Sequence, residues 1–233
     1  MITSAVILAR GGSVGLPNKN ILSFCGKPLL AWTIEACLEV CAGNVFVSSD
    51  SEQVLEVAEQ YGANLINRPA SISGNRSSSE IGWLHAISEI SSSQKSSLPD
   101  VIIAPQVTSP LRKKNDLASA LKKFEVEKLS SLFSAVDAGD ICLWDNSGQQ
   151  PSPMNIDFHG RKRRQDISSQ IIENGSFYMF KTEQFMSEKN RFFGKVGTFL
   201  QDKWQAFEID DAEDFEFCEL IMSNYLLGQR DVC

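Results

Sequence analysis

Short, unbroken apolar runs alternate with helical patterns along the first half of the chain, and no other feature restricts the fold as much. Ala5 to Leu8, Val45-Phe46-Val47 and Val101-Ile102-Ile103-Ala104 are runs of the kind found in strands covered on both faces of a parallel sheet, and Leu132 to Val136 reads as a fourth strand. Between them lie amphipathic segments. Pro28 opens one, with Leu30, Ile34, Cys37 and Leu38 on one face and an end near Gly43. Asp50 is placed to cap a second, carrying Val54, Ala58 and Tyr61, with Gln53 three residues on to complete a capping box. Ile81, Leu84, His85 and Ile87 mark a third, and Leu117, Leu121 and Phe124 a fourth. Strand and helix at this spacing imply right-handed βαβ units and an α/β fold built on a mostly parallel sheet.

Past Val136 the pattern changes. From Ala138 to Ser169 periodicity gives way to Gly, Pro, Asn, Asp and basic residues, too long a stretch for a structureless loop inside a compact domain. The expectation is one domain over residues 1–233, with 138–172 as an extended arm, lid or dimer element. Order returns at Ser176 to Phe180 and Lys195 to Leu200. An amphipathic helix with Phe215, Cys218, Leu220 and Met222 follows the acidic run Glu208 to Asp214.

A net charge of −7 argues against a partner whose main feature is a nucleic-acid backbone, which demands a basic face. Any polyanion must meet a local basic site. No apolar run approaches the roughly 18 residues of a membrane span, and no basic region precedes Ala5 as in an export signal; the expected location is the cytoplasm, without membrane attachment. The six cysteines (Cys25, Cys37, Cys41, Cys142, Cys218, Cys233) are scattered, which suits buried thiols better than a metal or redox cluster. His85 reads as a helix histidine, and Trp32, Trp83, Trp144 and Trp204 as packing residues.

Three segments can carry chemistry. The loop Arg10-Gly11-Gly12-Ser13-Val14-Gly15-Leu16-Pro17-Asn18-Lys19-Asn20 follows the first strand. Glycines there let backbone N–H groups approach an anion, and Arg10 and Lys19 can neutralise phosphate charge. It is neither a Walker A loop nor a dinucleotide fingerprint, and taken alone a flexible turn explains it as well. In Phe207-Glu208-Ile209-Asp210-Asp211, alternation points Glu208 and Asp210 to one side. That pair suits Mg²⁺ bridging phosphate oxygens, or a helix start dressed with acids, the reading that fits Asp211, Glu213 and Asp214. Arg161-Lys162-Arg163-Arg164 is the densest positive cluster, fit for a solvated face, a localisation signal or a clamp on a polyanionic substrate.

These segments, with Ala9-Arg10-Gly11-Gly12-Ser13 and Lys19-Asn20, Val47-Ser48-Ser49-Asp50-Ser51, Arg68-Pro69, Gln106-Val107-Thr108-Ser109-Pro110-Leu111-Arg112, Arg163-Arg164-Gln165-Asp166, Glu173-Asn174-Gly175-Ser176-Phe177-Tyr178 and Glu208-Ile209-Asp210, closely resemble the acylneuraminate cytidylyltransferases over nearly the whole chain. The resemblance implies a Rossmann-like sheet of the nucleotide-diphospho-sugar transferase type and a Mg²⁺-dependent transfer of CMP from CTP to the anomeric hydroxyl of an acidic nine-carbon sugar, releasing pyrophosphate. It implies nucleotide contacts for Arg10 and Asn20, with Lys19 near the triphosphate and Arg68, Ser77 and Ser79 completing a cytidine pocket. Gln106 would hold the nucleotide–sugar junction, Arg163 would be the catalytic basic group, with Arg164 beside it as a substrate-binding residue, and Glu208 and Asp210 would hold Mg²⁺. It also implies a homodimer in which the arm reaches the partner's site, with pairing of dimers into a tetramer left open. Val14, Asn75-Arg76, Val107 and Glu208 depart from the commonest family pattern, which has Lys, an acidic-then-small pair, Pro and Asp there. The rival readings are a cytidylyltransferase for 3-deoxy-manno-octulosonate and a silent nucleotide-binding protein.

Overall fold

The computed structural model describes residues 1–13, 15–93, 97–155, 160 and 169–228. The first half runs β1 (Thr3–Leu8), β2 (Ser23–Phe24), β3 (Lys27–Pro28), α1 (Leu29–Cys41), β4 (Val45–Ser49), α2 (Glu52–Gln60), β5 (Asn64–Asn67), α3 (Ser79–Ser92) and β6 (Val101–Pro105). The second half runs α4 (Asp116–Val126), β7 (Ser131–Asp137), β8 (Trp144–Asp145), β9 (Ser152–Pro153), β10 (Ile171–Lys181), α5 (Thr182–Glu188), β11 (Val196–Gln201) and α6 (Ala212–Ile221).

Among the described residues the main sheet has seven strands in the order β11-β7-β10-β6-β1-β4-β5. β1 lies parallel to β4 and β6, and β4 parallel to β5. The exception is β10, inserted antiparallel between β6 and β7. Both faces are covered, as the continuous apolar runs require. Ala5 and Ile7 pack into one core cluster with α1, α4 and α6, while Val6 packs into the other with α3 and α5. The carboxyl ends of β1, β4, β5 and β6 therefore share one edge, where ligands bind in open α/β sheets. β10 meets that edge from the other side: Phe177 pairs with Pro105, the last residue of β6, so Glu173 to Ser176 extend past it.

Four details differ from the sequence reading. β5, which has no apolar run, buries only Ile66 and forms the polar end of the sheet. The cap of α2 is Ser51, whose hydroxyl accepts from the Val54 N–H, and not Asp50 with Gln53. Helix α3 turns Gly82, Trp83, Ala86, Ile87 and Ile90 inward, leaving Ile81 45% exposed. A Cβ at Gly82 would lie 2.9 Å from Leu8 Cδ1, so the smallest residue must face the strand and it sets the rotation of the helix. In α6, Leu220 points outward, and Cys218 and Ile221 inward.

The region expected to be an arm starts with a small hairpin, β8 paired with β9, tied by Asn155 to the Ile141 carbonyl and to Gln170. Residues 156–159 and 161–168, which include His159, Arg163 and Arg164, lie outside the described residues. The described cysteines are free, and Cys37, Cys41 and Cys218 are buried. Burial pushes the Cys41 thiol up to about 12, so it is inert packing. Among the described residues, no helix is long and apolar enough to cross a membrane.

Candidate active site

The loop after β1 is pinned from three directions. The Gly11 N–H donates to Asp50 Oδ1 at 3.0 Å, and the Asn20 amide donates to the Arg10 carbonyl at 2.9 Å. A Cβ at Gly11 would stand 2.6 Å from Ser51 Cβ, and one at Gly15 would stand 2.3 Å from the Asp210 carbonyl oxygen. These two glycines are thus required by close approach of other chain segments. Since Asp50 takes the Gly11 N–H, that donor is unavailable to an anion. Val14 lies outside the described residues.

Arg10, Arg68, Ser77 and Ser79 come together around one cavity of 290 Å³. Arg68 is 8% exposed, donates from Nε to Ser73 Oγ at 2.9 Å and has a terminal nitrogen 3.8 Å from Asp50. Burial lowers its pKa, and the Asp50 carboxylate opposes that shift. Arg10 reaches across the mouth to Asn75 Oδ1 at 2.7 Å. Leu8, Arg10 and Ser79 also border a second cavity of 150 Å³, closed by Lys19, Asn20, Trp83 and Gln106. Gln106 in turn borders a third, of 280 Å³, with Glu173, Asn174, Gly175, Tyr178 and Glu208. The three form one cleft along the sheet edge.

The acidic segment is held by its central residue. Ile209 is fully buried, its N–H donates to the Thr108 carbonyl at 2.7 Å, and its carbonyl accepts from Lys19 Nζ at 2.5 Å. With Ile209 fixed inward, Glu208 and Asp210 flank it on the cleft side, as alternation implies. Lys19 also lies 3.5 Å from Asp210. Asp211 caps α6 and forms a capping box with Asp214, so those acids serve the helix. Burial and then the neighbouring Asp210 raise the pKa of Glu208. A carboxylate raised in this way beside a second one is a donor set a hard dication relieves, and Mg²⁺ needs only one or two carboxylates beside phosphate and water oxygens. Among the described residues no three His, Cys, Asp or Glu side chains cluster as a self-sufficient metal cage.

The sequence reading did not single out Arg112 as a site residue. It is 7% exposed, and its guanidinium donates to the carbonyls of Gln106, Ser109 and Ser176 and to Thr33 Oγ1. Burial pushes its pKa down to about 10, which leaves it charged at neutral pH. It joins the loop after β6 to β10 where the β10–β7 register shifts between Glu173 and Tyr178. Within that irregularity Gly175 has φ +66°. A Cβ there would lie 3.6 Å from Gln106 and from Glu208, so a side chain would enter the cleft. Asp50 and Arg112 both stand inside the segments that carried the family resemblance. Their roles could not be read there because each depends on what the next strand places opposite.

This mostly parallel α/β sheet, with a cationic loop, a buried arginine and an acidic pair along one edge, shares its fold with solved cytidylyltransferases. The solved CMP:2-keto-3-deoxy-manno-octonic acid synthetase complexed with CTP superposes with a TM-score of 0.71 at 16% identity, over 96% of this chain and 99% of that one. The 4-diphosphocytidyl-2C-methyl-D-erythritol synthase of Anaerococcus prevotii superposes at 0.65 and 13%, over 95% and 98%. The family model described as Cytidylyltransferase matches residues 4–219. The chain belongs to the cytidylyltransferase family. It is 38% identical over 92% of its length to N-acylneuraminate cytidylyltransferase A of Danio rerio, and 32% identical over 93% to form B. It is also 32% identical over 93% of its length to the pseudaminic acid cytidylyltransferase of Campylobacter jejuni subsp. jejuni serotype O:23/36 (strain 81-176). The chain spans about half the length of the two Danio relatives and 94% of the Campylobacter one.

Proposed function

We propose that the chain transfers CMP from CTP to the anomeric hydroxyl of an N-acylneuraminate or related nine-carbon acid sugar and releases pyrophosphate. The carrying observation is that Gln106 borders both the cavity lined by Arg10, Lys19 and Asn20 and the cavity lined by Glu173, Tyr178 and Glu208. We read the Arg68 cavity as the place of the cytosine and ribose, the Arg10–Lys19 region as that of the phosphates, and the Glu208 cavity as that of the sugar. The names of the relatives favour this reading over the octulosonate one.

In this reading the anomeric oxygen attacks the α-phosphorus in line, the bond to the pyrophosphate oxygen breaks, and the hydroxyl proton leaves to solvent. Such a displacement is accelerated mainly by positioning and by neutralising charge. Gln106 orients the junction, Arg10 and Lys19 offset phosphate charge, and Arg163 and Arg164 of the basic cluster complete the clamp, as the family resemblance implies for them. Glu208 and Asp210 would hold Mg²⁺, which when bound supplies further charge neutralisation at the phosphates. Ile141, Leu143 and Met154, 48 to 68% exposed on the arm, suit a homodimer contact, and the reading keeps the cytoplasmic location expected from the sequence.

The test is pyrophosphate release with CTP and Mg²⁺, with N-acetylneuraminate or pseudaminic acid as acceptor and with UTP and chelator controls. Release that needs CTP, the metal and one of these sugars is the expected result. CTP binding without release in the presence of either sugar would sink the proposal in favour of a silent nucleotide-binding protein.

A further inference from the structure

Arg191 lies in the turn between α5 and β11, outside every motif, yet its guanidinium sits among side chains that border the cleft. Its Nε donates to Glu80 Oε1 at 2.7 Å, and the two side chains are 18% and 19% exposed. The guanidinium carbon lies 4.8 Å from the Trp83 ring centroid and 4.5 Å from that of Tyr178. Trp83 walls the 150 Å³ cavity beside Gln106, and Tyr178 walls the 280 Å³ cavity on the other side of Gln106. Glu80 follows Ser79, which borders both nucleotide-side cavities. One cation, tied to the first turn of α3, therefore lies against two rings, each of which walls one of the two pockets.

The Tyr178 hydroxyl donates to Glu173 Oε1. That bond aims the Glu173 carboxylate, whose remaining lone pairs are acceptors. Burial and the adjacent Glu173 push the Tyr178 hydroxyl far above its ordinary range, so it stays a donor. The described lining of this cavity holds carboxylates, amides and a phenol but no Lys or Arg, which suits recognition of hydroxyl and amide N–H groups better than of a carboxylate.

We propose that Arg191, anchored by Glu80, is a positioning residue for the sugar: it fixes the Tyr178 ring against Trp83 and so orients the Tyr178–Glu173 pair toward the sugar's hydroxyl and amide groups. This rests on reading the 280 Å³ cavity as the sugar pocket. The planar guanidinium matters as well as its charge, because its flat, delocalised group can lie against two aromatic faces while Nε keeps its hydrogen bond, whereas an ammonium is a compact charge on a flexible stem.

The experiment is steady-state kinetics of the full chain, varying CTP and the accepted sugar separately, for Arg191→Met, Arg191→Lys, Glu80→Gln and Tyr178→Phe. Arg191→Met is expected to raise the sugar KM about tenfold, as displaced positioning groups do, with the CTP KM moving less than about twofold. Arg191→Lys should recover little of this, and Tyr178→Phe, which keeps the ring and removes the hydroxyl, should reproduce the selective rise. A sugar KM unchanged in Arg191→Met, a parallel rise in the CTP KM, or full recovery with Arg191→Lys each overturns the assignment, the second by showing a plain structural staple. Should Arg191→Met not fold, Tyr178→Phe and Glu80→Gln decide: unchanged sugar KM in both overturns the assignment. A wild type silent with every acid sugar removes the underlying reading along with this one, whereas an active wild type with an unmoved variant removes this one alone.

Discussion

Gln106, Arg10, Asp50 and Arg68 stand at or just past the ends of β6, β1, β4 and β5, four parallel neighbours. Parallel pairing places such residues side by side with no further device. Around Glu208 nothing comparable exists. There the loop after β6, the irregular part of antiparallel β10 and the segment ending at Asp210 are distant in sequence and are joined by two isolated backbone bonds, Gln106 N–H to the Ser176 carbonyl and Ile209 N–H to the Thr108 carbonyl, and by single side chains. Lys19 holds Ile209, and Arg112 holds Gln106 and Ser176. Gln205 donates to the Leu111 carbonyl at 2.9 Å and Asn174 to the Gln205 carbonyl at 3.0 Å. One end of the cleft is set by topology and the other by long-range polar ties, so the second should fail more steeply to single substitutions.

The acidic pair is where that contrast should be greatest. Asp210→Ala removes a proposed metal ligand whose side chain is largely exposed, so the fold should persist while kcat falls by about 10² or more. Melting temperature and pyrophosphate release, measured together, check it. Turnover within about twofold of wild type would mean that the acids serve only the start of α6.

Arg112→Met comes next and concerns stability. It replaces a buried guanidinium by a chain of similar reach and removes one donor from each of the carbonyls of Gln106, Ser109 and Ser176; the first keeps the Ser109 N–H and the third the Gln106 N–H, so the Ser109 carbonyl is the one left bare. A stranded buried acceptor costs about 1–3 kcal/mol and each further lost hydrogen bond about 1 kcal/mol, so the loss should be about 3 kcal/mol. For a chain of this size that lowers the urea midpoint by about 1 M. An unchanged midpoint would show that the sugar end holds without its central tie.

What was legible follows the same division. Continuous apolar runs marked β1, β4 and β6, and the largely apolar Leu132 to Val136 marked β7, because a strand buried on both faces has few polar positions to disguise it. β5 was invisible, since Asn64-Leu65-Ile66-Asn67 buries one side chain and owes its pairing to β4 alone. For Glu208 and Asp210 the motif alone was ambiguous: the period of two put them on one side of Ile209, but only the burial of Ile209 and the capping bonds of Asp211 and Asp214 set them apart from the helix start. Arg191 carried no such signal: Glu80 is 111 residues away, and no spacing rule reaches that far. Asp50 misled for a related reason, because an acid just before a helix is a good cap by every local criterion and only the position of β1 draws it elsewhere.

Asp50 and Ser51 allow the smallest effects to be set against each other. Asp50→Ala removes both the acceptor for the Gly11 N–H and the charge facing Arg68, and should raise the CTP KM about tenfold with little change in melting temperature. Asp50→Asn keeps an acceptor oxygen for Gly11 and loses only the charge, so it should lie between. Ser51→Ala removes the actual cap, a 3.5 Å bond to the Val54 N–H. A contact that long places the cost at the low end of the capping range, about 0.5 kcal/mol, with the CTP KM unmoved. If Ser51→Ala impaired CTP use and Asp50→Asn only stability, the adjacent roles would be reversed and the loop after β1 would be held by the helix start. The expected pattern assigns stability to one residue and nucleotide affinity to its neighbour, because β4 ends with Asp50 turned toward β1 and Ser51 turned along α2.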